Sequence, residues 1–299
     1  MSLIINGKNI DEDVVYAEFS QIKGYFESLG NISCCERDEE FRGYAKQNIV
    51  ARVLLAEEAE RRMPAPAEAE VDAAIDSIRQ EQGEFQFAAT VATHPDQMEG
   101  LRREMSTNLR VQALLEEVFA QVPEPTDAEV REFYEKNIAA FMTPEEIRAS
   151  HISKNPGRGE NRQEIYQQLC EVRRQLRAGG DFDELAREHS DKGKEQIDLG
   201  FFKRGEYPEE FEIVAFSMDV GELSPVFSST YGFHIARITD RKAAEPRPFD
   251  EVRDDARQLL LNERRKAKTQ AVVEDLKKTA TIVDCEPEGE SVPAHVHNA

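Results

Sequence analysis

The chain has 299 residues, 32% of them charged, and a net charge of −21. That length accommodates two domains with real cores. The acidic balance argues against nonspecific nucleic-acid binding and against adhesion to an anionic membrane, and no window approaches the roughly 18 apolar residues of a membrane span.

The first ten residues lack a basic segment, and their apolar run covers only residues 3–5. They do not read as a signal peptide, so the expected location is the cytoplasm, or an exported compartment if a leader was removed. Asn6-Gly7 signals a turn after a short strand. Val15, Phe19, Ile22, Phe26 and Leu29 recur at 4-3-4-3 spacing, the stripe of an amphipathic helix that Gly30 ends. A second helix is expected over residues 38–63, with Phe41, Ala45, Ile49, Val53 and Ala56 on one face and Pro64 and Pro66 as its stop. A third follows over residues 67–82 with Val71, Ile75 and Ile78. After a loop holding Gly83 and Pro95, a long helix carries Leu101, Met105, Leu109, Leu115 and Val118. Thr126-Asp-Ala-Glu129 has the capping-box pattern and opens a helix that ends near Phe141. These helices carry apolar stripes and no chemistry, so they must bury those stripes against one another or a partner. Phe85, Phe87, Met98 and Met105 leave room for a polypeptide-binding surface.

From Glu145 the texture changes. A β-type run over residues 147–153 leads into a Gly/Pro/Asn loop, then a helix with Ile165, Leu169, Val172 and Leu176 that ends at Gly179-Gly180. Asp181-Phe-Asp-Glu184 opens a short helix reaching about His189. A strand follows at Asp198-Leu-Gly-Phe-Phe202, then a helix over residues 209–216, a turn at Asp219-Val-Gly221 and two final strands. The order is β-α-α-β-α-β-β, a small α+β unit. A linker with Pro246 and Pro248 precedes a long helix from Phe249. That helix cannot bury its own face, so it is expected to return to the N-terminal helices and make their lobe discontinuous. The division read from the sequence is therefore a helical lobe at 1–142, an α+β domain at 145–241, a C-terminal helix at 249–282 and a disordered acidic tail at 284–299.

Cys34, Cys35, Cys170 and Cys285 form neither a redox pair nor a zinc pattern and read as reduced thiols. His295 and His297 are too isolated to make a metal site. No metal or cofactor is expected.

Six phrases in the α+β unit carry more: Ala149-Ser-His-Ile152, Phe182-Asp-Glu-Leu-Ala186, His189-Ser-Asp191, Asp198-Leu-Gly-Phe-Phe202, Gly221-Glu-Leu-Ser-Pro-Val-Phe227 and Tyr231-Gly-Phe-His-Ile235. Each alone is weak. In this order they resemble the parvulin-type peptidyl-prolyl cis-trans isomerases. The flanking helices resemble, on pattern, the SurA/PrsA class of foldases, in which such helices form a chaperone lobe. Gly221-Glu-Leu-Ser-Pro225 and the helix at 101–119 also resemble NifM-like foldases, which would make the chain a dedicated cytosolic maturation factor.

The resemblance implies a parvulin-like domain beside an all-α chaperone lobe. It implies rotation of X-Pro bonds in unfolded or partly folded polypeptides, without nucleic acid, membrane span or cofactor; a homodimer is compatible with it. His151 and His234 become the paired catalytic histidines, which could instead serve only to hold the sheet. Leu199, Phe202, Tyr207 and Phe211 fall where the family builds its proline pocket, and Ser228 where it usually has a pocket Thr. The loop at 190–197 departs from the pattern. It is about two residues short, and the family's Cys or Asp falls on Lys192 or, with another gap, on Asp191, which is kept as the catalytic candidate. A Lys there would weaken or abolish isomerase activity and leave a peptide-binding chaperone. Arg158 alone is too little to read a phosphoserine.

Overall fold

A computed structural model describes residues 2–28, 37–91, 95–157, 160–191, 193 and 196–285. Cys34, Cys35, Gly30, Arg158, Lys192, His295 and His297 lie outside the described residues. By contacts the chain divides into two compact units. One comprises residues 1–125 with 258–299, and the other Thr126–Arg257.

The discontinuous unit begins with a hairpin, β1 (Ser2–Ile5) and β2 (Lys8–Ile10). Its turn is Asn6-Gly7, with φ of 48° and 80°, the left-handed pair that a two-residue hairpin requires. The strand β7 (Ile282–Cys285) pairs antiparallel with β1, giving the sheet order β2-β1-β7. The expected lobe therefore contains a small sheet, and Asp284 and Cys285, expected in the tail, belong to a strand.

Five helices follow the hairpin: α1 (Glu12–Ser28), α2 (Asp38–Arg62), α3 (Glu68–Gln82), α4 (Glu84–Val91) and α5 (Pro95–Phe119). The helix α4 fills what the sequence presented as a loop. Gly83, at φ 81°, ends α3 without ending helical structure altogether. On α2 the buried residues are Phe41, Ala45, Ile49, Val50, Leu54, Leu55 and Ala59. The face is broader than the expected stripe, because α2 packs both on the β1–β2 hairpin and on α5. Ile49, Val50 and Leu54 join Leu3, Ile5 and Ile10, while Leu55 and Ala59 join Leu114 and Val273. Of the four residues expected at a client surface, Phe87 is buried and Met98 and Met105 pack beside it; Phe85 is 91% exposed.

The second unit opens with α6 (Asp127–Lys136). Its capping box is formed: Glu129 N–H donates to Thr126 Oγ1, and Thr126 N–H donates to the Glu129 carboxylate. The helix α6 belongs to this unit and not to the N-terminal lobe. Tyr134 explains why: its hydroxyl donates to Arg247 O at 2.7 Å and its ring meets Phe249 at 5.6 Å.

The sheet is built from β3 (Glu146–Lys154), β4 (Asp198–Lys203), β5 (Phe227–Ser229) and β6 (Gly232–Lys242), in the order β4-β3-β6-β5 and antiparallel throughout. Between the strands lie α7 (Arg162–Arg177), α8 (Phe182–His189) and α9 (Glu209–Ser217), so the chain runs β-α-α-β-α-β-β. Alternation sorts the faces. Ile152 and Ile235 point to Leu169, Val172, Phe182 and Ala186 of α7 and α8. Ala149, Ala236 and Ile238 point to Phe211, Ala215 and Phe216 of α9. Gly232 sits where β6 passes β3: a Cβ there would lie 2.3 Å from Lys154 O, so no side chain fits. A last helix, α10 (Phe249–Lys277), starts in this unit and ends in the other, with Val252 and Ala256 fully buried.

Candidate active site

The two histidines lie on neighbouring central strands. In the β3–β6 register His151 faces Ala236 and Ser153 faces His234. His151 and His234 are thus diagonal neighbours on one face, the face that α9 covers. Their rings stack with centroids 5.8 Å apart and planes 13° from parallel. Phe211 of α9 stands edge-on to both, at 5.7 Å from His151 and 5.6 Å from His234. Phe227 closes the side of His234 at 5.4 Å. Both histidines are buried, at 7% and 5% exposure.

A cleft of about 830 Å³ opens over this pair. Leu199, Tyr207, Phe211 and Tyr231 supply its apolar lining. Phe202, expected to line it, is instead buried beneath, 4.6 Å from the Tyr207 ring. Burial pushes the Tyr207 phenol up from its ordinary value. At the cleft's edge Arg148 forms a bidentate pair with Asp198, at 3.2 and 2.5 Å. That guanidinium holds the Asp198 carboxyl below its ordinary range, with help from the Gly200 N–H.

Two serines that the sequence did not single out belong here. Ser229 Oγ lies 2.7 Å from His234 Nε2 and accepts a hydrogen bond from Tyr231 N–H at 3.1 Å. Ser153 lines the cleft at 1% exposure, and its Oγ has no hydrogen-bond partner among the described residues.

Ser228, the expected pocket hydroxyl, is exposed and absent from the lining. Its Cα partner is Phe233, whereas Phe227 faces His234, so Ser228 projects from the opposite face of β5. The period of two moves the role to Ser229. Asp191 is also not brought to the histidines. Its carboxylate accepts from Lys154 Nζ at 2.9 Å and from Asn155 N–H at 2.8 Å, and it lines a separate polar cleft with Glu160 and Glu164.

Residues 125–254 match the family described as the PPIC-type PPIase domain. Foldase protein PrsA 2 of Bacillus cereus is 35% identical over 176 residues, 52% of this chain and 56% of that protein. Foldase protein PrsA of Caldanaerobacter subterraneus is 27% identical over 294 residues, 93% of this chain and 85% of that protein. Among solved structures, a SurA-like chaperone of Campylobacter jejuni aligns over 96% of this chain and 99% of its own, with TM-score 0.46 and 13% identity. The chain spans little more than half the length of the first of these relatives. No helix among the described residues is long and apolar enough to cross a membrane.

Proposed function

We propose that this chain, whose residues 125–254 form a PPIC-type peptidyl-prolyl isomerase domain, turns X-Pro bonds in unfolded or maturing polypeptides while its helical unit holds them. Rotation about the imide must break amide resonance, against a barrier near 20 kcal/mol. No bond to the substrate need form. The twisted imide has less charge separation than the planar one, so an apolar site favours it. A hydrogen bond to the prolyl nitrogen helps further as that atom pyramidalises.

The observation that carries the reading is the stacked imidazole pair backing an aromatic cleft. Leu199, Tyr207 and Phe211 offer the prolyl ring an apolar wall. His151, His234 and the Ser229 hydroxyl set the polarity behind it. In the helical unit, Phe85, Tyr16 and Tyr25 are 91%, 66% and 63% exposed and give a client apolar contacts. The test is isomerisation of a proline-containing tetrapeptide by the full chain. Acceleration that falls on replacing His151 or His234 by Ala supports the reading; no acceleration removes it.

A second reading, a peptide-binding chaperone with little or no turnover, is favoured by one observation: Asp191 is tied to Lys154 and Asn155, away from the histidine cleft. Proline peptides would then bind the cleft without faster isomerisation. Capture of clients from the native cell separates a general foldase from a dedicated maturation factor, by a broad mixture or one dominant client.

A further inference from the structure

Glu212 lies in the first turn of α9, where a carboxylate ordinarily faces water and the helix N-terminus. Here it is 7% exposed. Its side chain folds back over the chain that enters the helix. Oε1 accepts hydrogen bonds from the N–H groups of Gly205, Glu206 and Tyr207, at 2.8, 2.9 and 2.9 Å. Oε2 accepts from Gly205 N–H as well, at 2.9 Å. Three successive amides aimed at one anion form a nest, and such charge-assisted bonds are the stronger kind. Gly205 makes the concave turn possible at φ 93°.

The segment so held joins β4 to α9. It delivers Glu206, Tyr207 and Pro208 to the lining of the histidine cleft, which Glu212 itself does not reach. Tyr207 is the part that matters. Its ring rests on Phe202 at 4.6 Å and on Phe211 at 5.7 Å, and Phe211 in turn meets both imidazoles. Ring contacts alone would let the segment slide along the apolar surface; three directional bonds fix it.

We infer that Glu212 is a positioning residue for substrate: by clamping residues 205–207 it fixes the Tyr207 wall at a set distance from the histidine pair. The inference rests on the isomerase reading of that cleft. Its prediction is a split in kinetics. A displaced wall weakens capture of the prolyl ring, while the imidazoles stay where β3 and β6 put them.

The experiment uses the full chain with Glu212→Gln, Glu212→Ala, Tyr207→Ala and the double variant Glu212→Ala/Tyr207→Ala, assayed on a proline tetrapeptide. In Glu212→Gln one acceptor oxygen becomes an NH2 group that opposes an amide donor. For both Glu212 variants KM is expected to rise about tenfold with kcat held within about threefold, the signature of lost binding rather than lost chemistry. The double variant is expected to be no worse than Tyr207→Ala, because the two residues act as one unit. In heteronuclear NMR spectra the amides of Gly205, Glu206 and Tyr207 should shift while those of His151 and His234 stay. An unchanged KM in a folded variant overturns the inference. So does a double variant whose losses multiply in full. Variants that cannot fold overturn it too, assigning Glu212 to stability alone. Should the unaltered chain show no turnover, the isomerase reading fails separately. The same comparison is then made by titrating the tetrapeptide, where tenfold weaker binding supports the clamp and equal or absent binding removes it.

Discussion

The two units differ in what they bury. Among the described residues, the buried polar side chains are Ser150, His151, Ser153, Glu212, Ser224 and His234, and all six lie in the sheet unit. Among the same residues, the helical unit's buried side chains are apolar, such as Phe41, Ile49, Leu114 and Val273, and buried polar atoms there belong to the part-exposed Arg110 and Arg265. A buried polar group costs free energy unless it finds a partner. Several of these find one: Ser224 accepts from Ala236 N–H, Ser229 lies against His234, and Glu212 takes four bonds. The buried residues of the helical unit thus supply shape and apolar area, whereas the sheet unit holds whole polar side chains at fixed points in a dry place. Only the second arrangement can act on one particular bond.

The largest test of this contrast removes a core side chain from each unit. Phe211→Ala, at 2% exposure, is expected to destabilise the sheet unit by about 3–5 kcal/mol and to abolish isomerisation; Leu114→Ala, fully buried, should cost about 2–5 kcal/mol and leave isomerisation intact. Amide exchange of β3 and β6 against α2 and α5 reads the two separately. Equal loss of protection in both would break the distinction.

Ser229→Ala comes next. It strips a partner from buried His234 and should cost about 1–3 kcal/mol by urea unfolding, with slower isomerisation. Ser228→Ala, one residue away and exposed, is its control and should stay within about 0.5 kcal/mol. Matching effects would mean that the face assignment of β5 is wrong.

Asp191→Asn sharpens the boundary of the site. Isomerisation should change by less than about twofold, as for a surface substitution away from the chemistry. A large loss of kcat would bring Asp191 into the catalytic group.

The smallest effect concerns acid. Arg148 lowers the Asp198 carboxyl in the folded chain, so the pair contributes stability above the ordinary Asp value of 3.8 and loses it as pH falls below that. Both side chains are nearly half exposed, which keeps the contribution small. Asp198→Asn should therefore melt slightly lower at pH 7, with the difference shrinking as pH falls below 3.8.

Much of this was legible in the sequence, for reasons that are local. Asn6-Gly7 carries its own turn geometry, Thr126 and Glu129 carry their own cap, and the six family phrases placed His151 and His234 on one sheet. What escaped depends on a single step of register or on distant partners. Ser228 and Ser229 are chemically identical, and only the pairing of Phe227 with His234 decides which one faces the cleft. Glu212 reads as the solvent side of a short helix until the chain before it curls over. Leu54 and Leu55 of α2 fall off the simple stripe because that helix is packed from two directions. The helix α4 was hidden by Gly83, which ends one helix and immediately admits another.

The pairing of β1 with β7 has a consequence for synthesis. Ile4 lies opposite Val283, so β1 completes its ladder with a strand made only after the helices and the sheet unit that lie between them in the chain. Residues 126–257 are finished in between and can collapse while the helical lobe still lacks its closing piece. Until that piece arrives, Leu3, Ile5 and Ile10 lack the cover that Leu276 and Ala280 give them. The chain itself would then pass through a stage with an open, sticky hairpin. Ribosome-stalled chains ending before residue 276 should accordingly be the protease-sensitive ones.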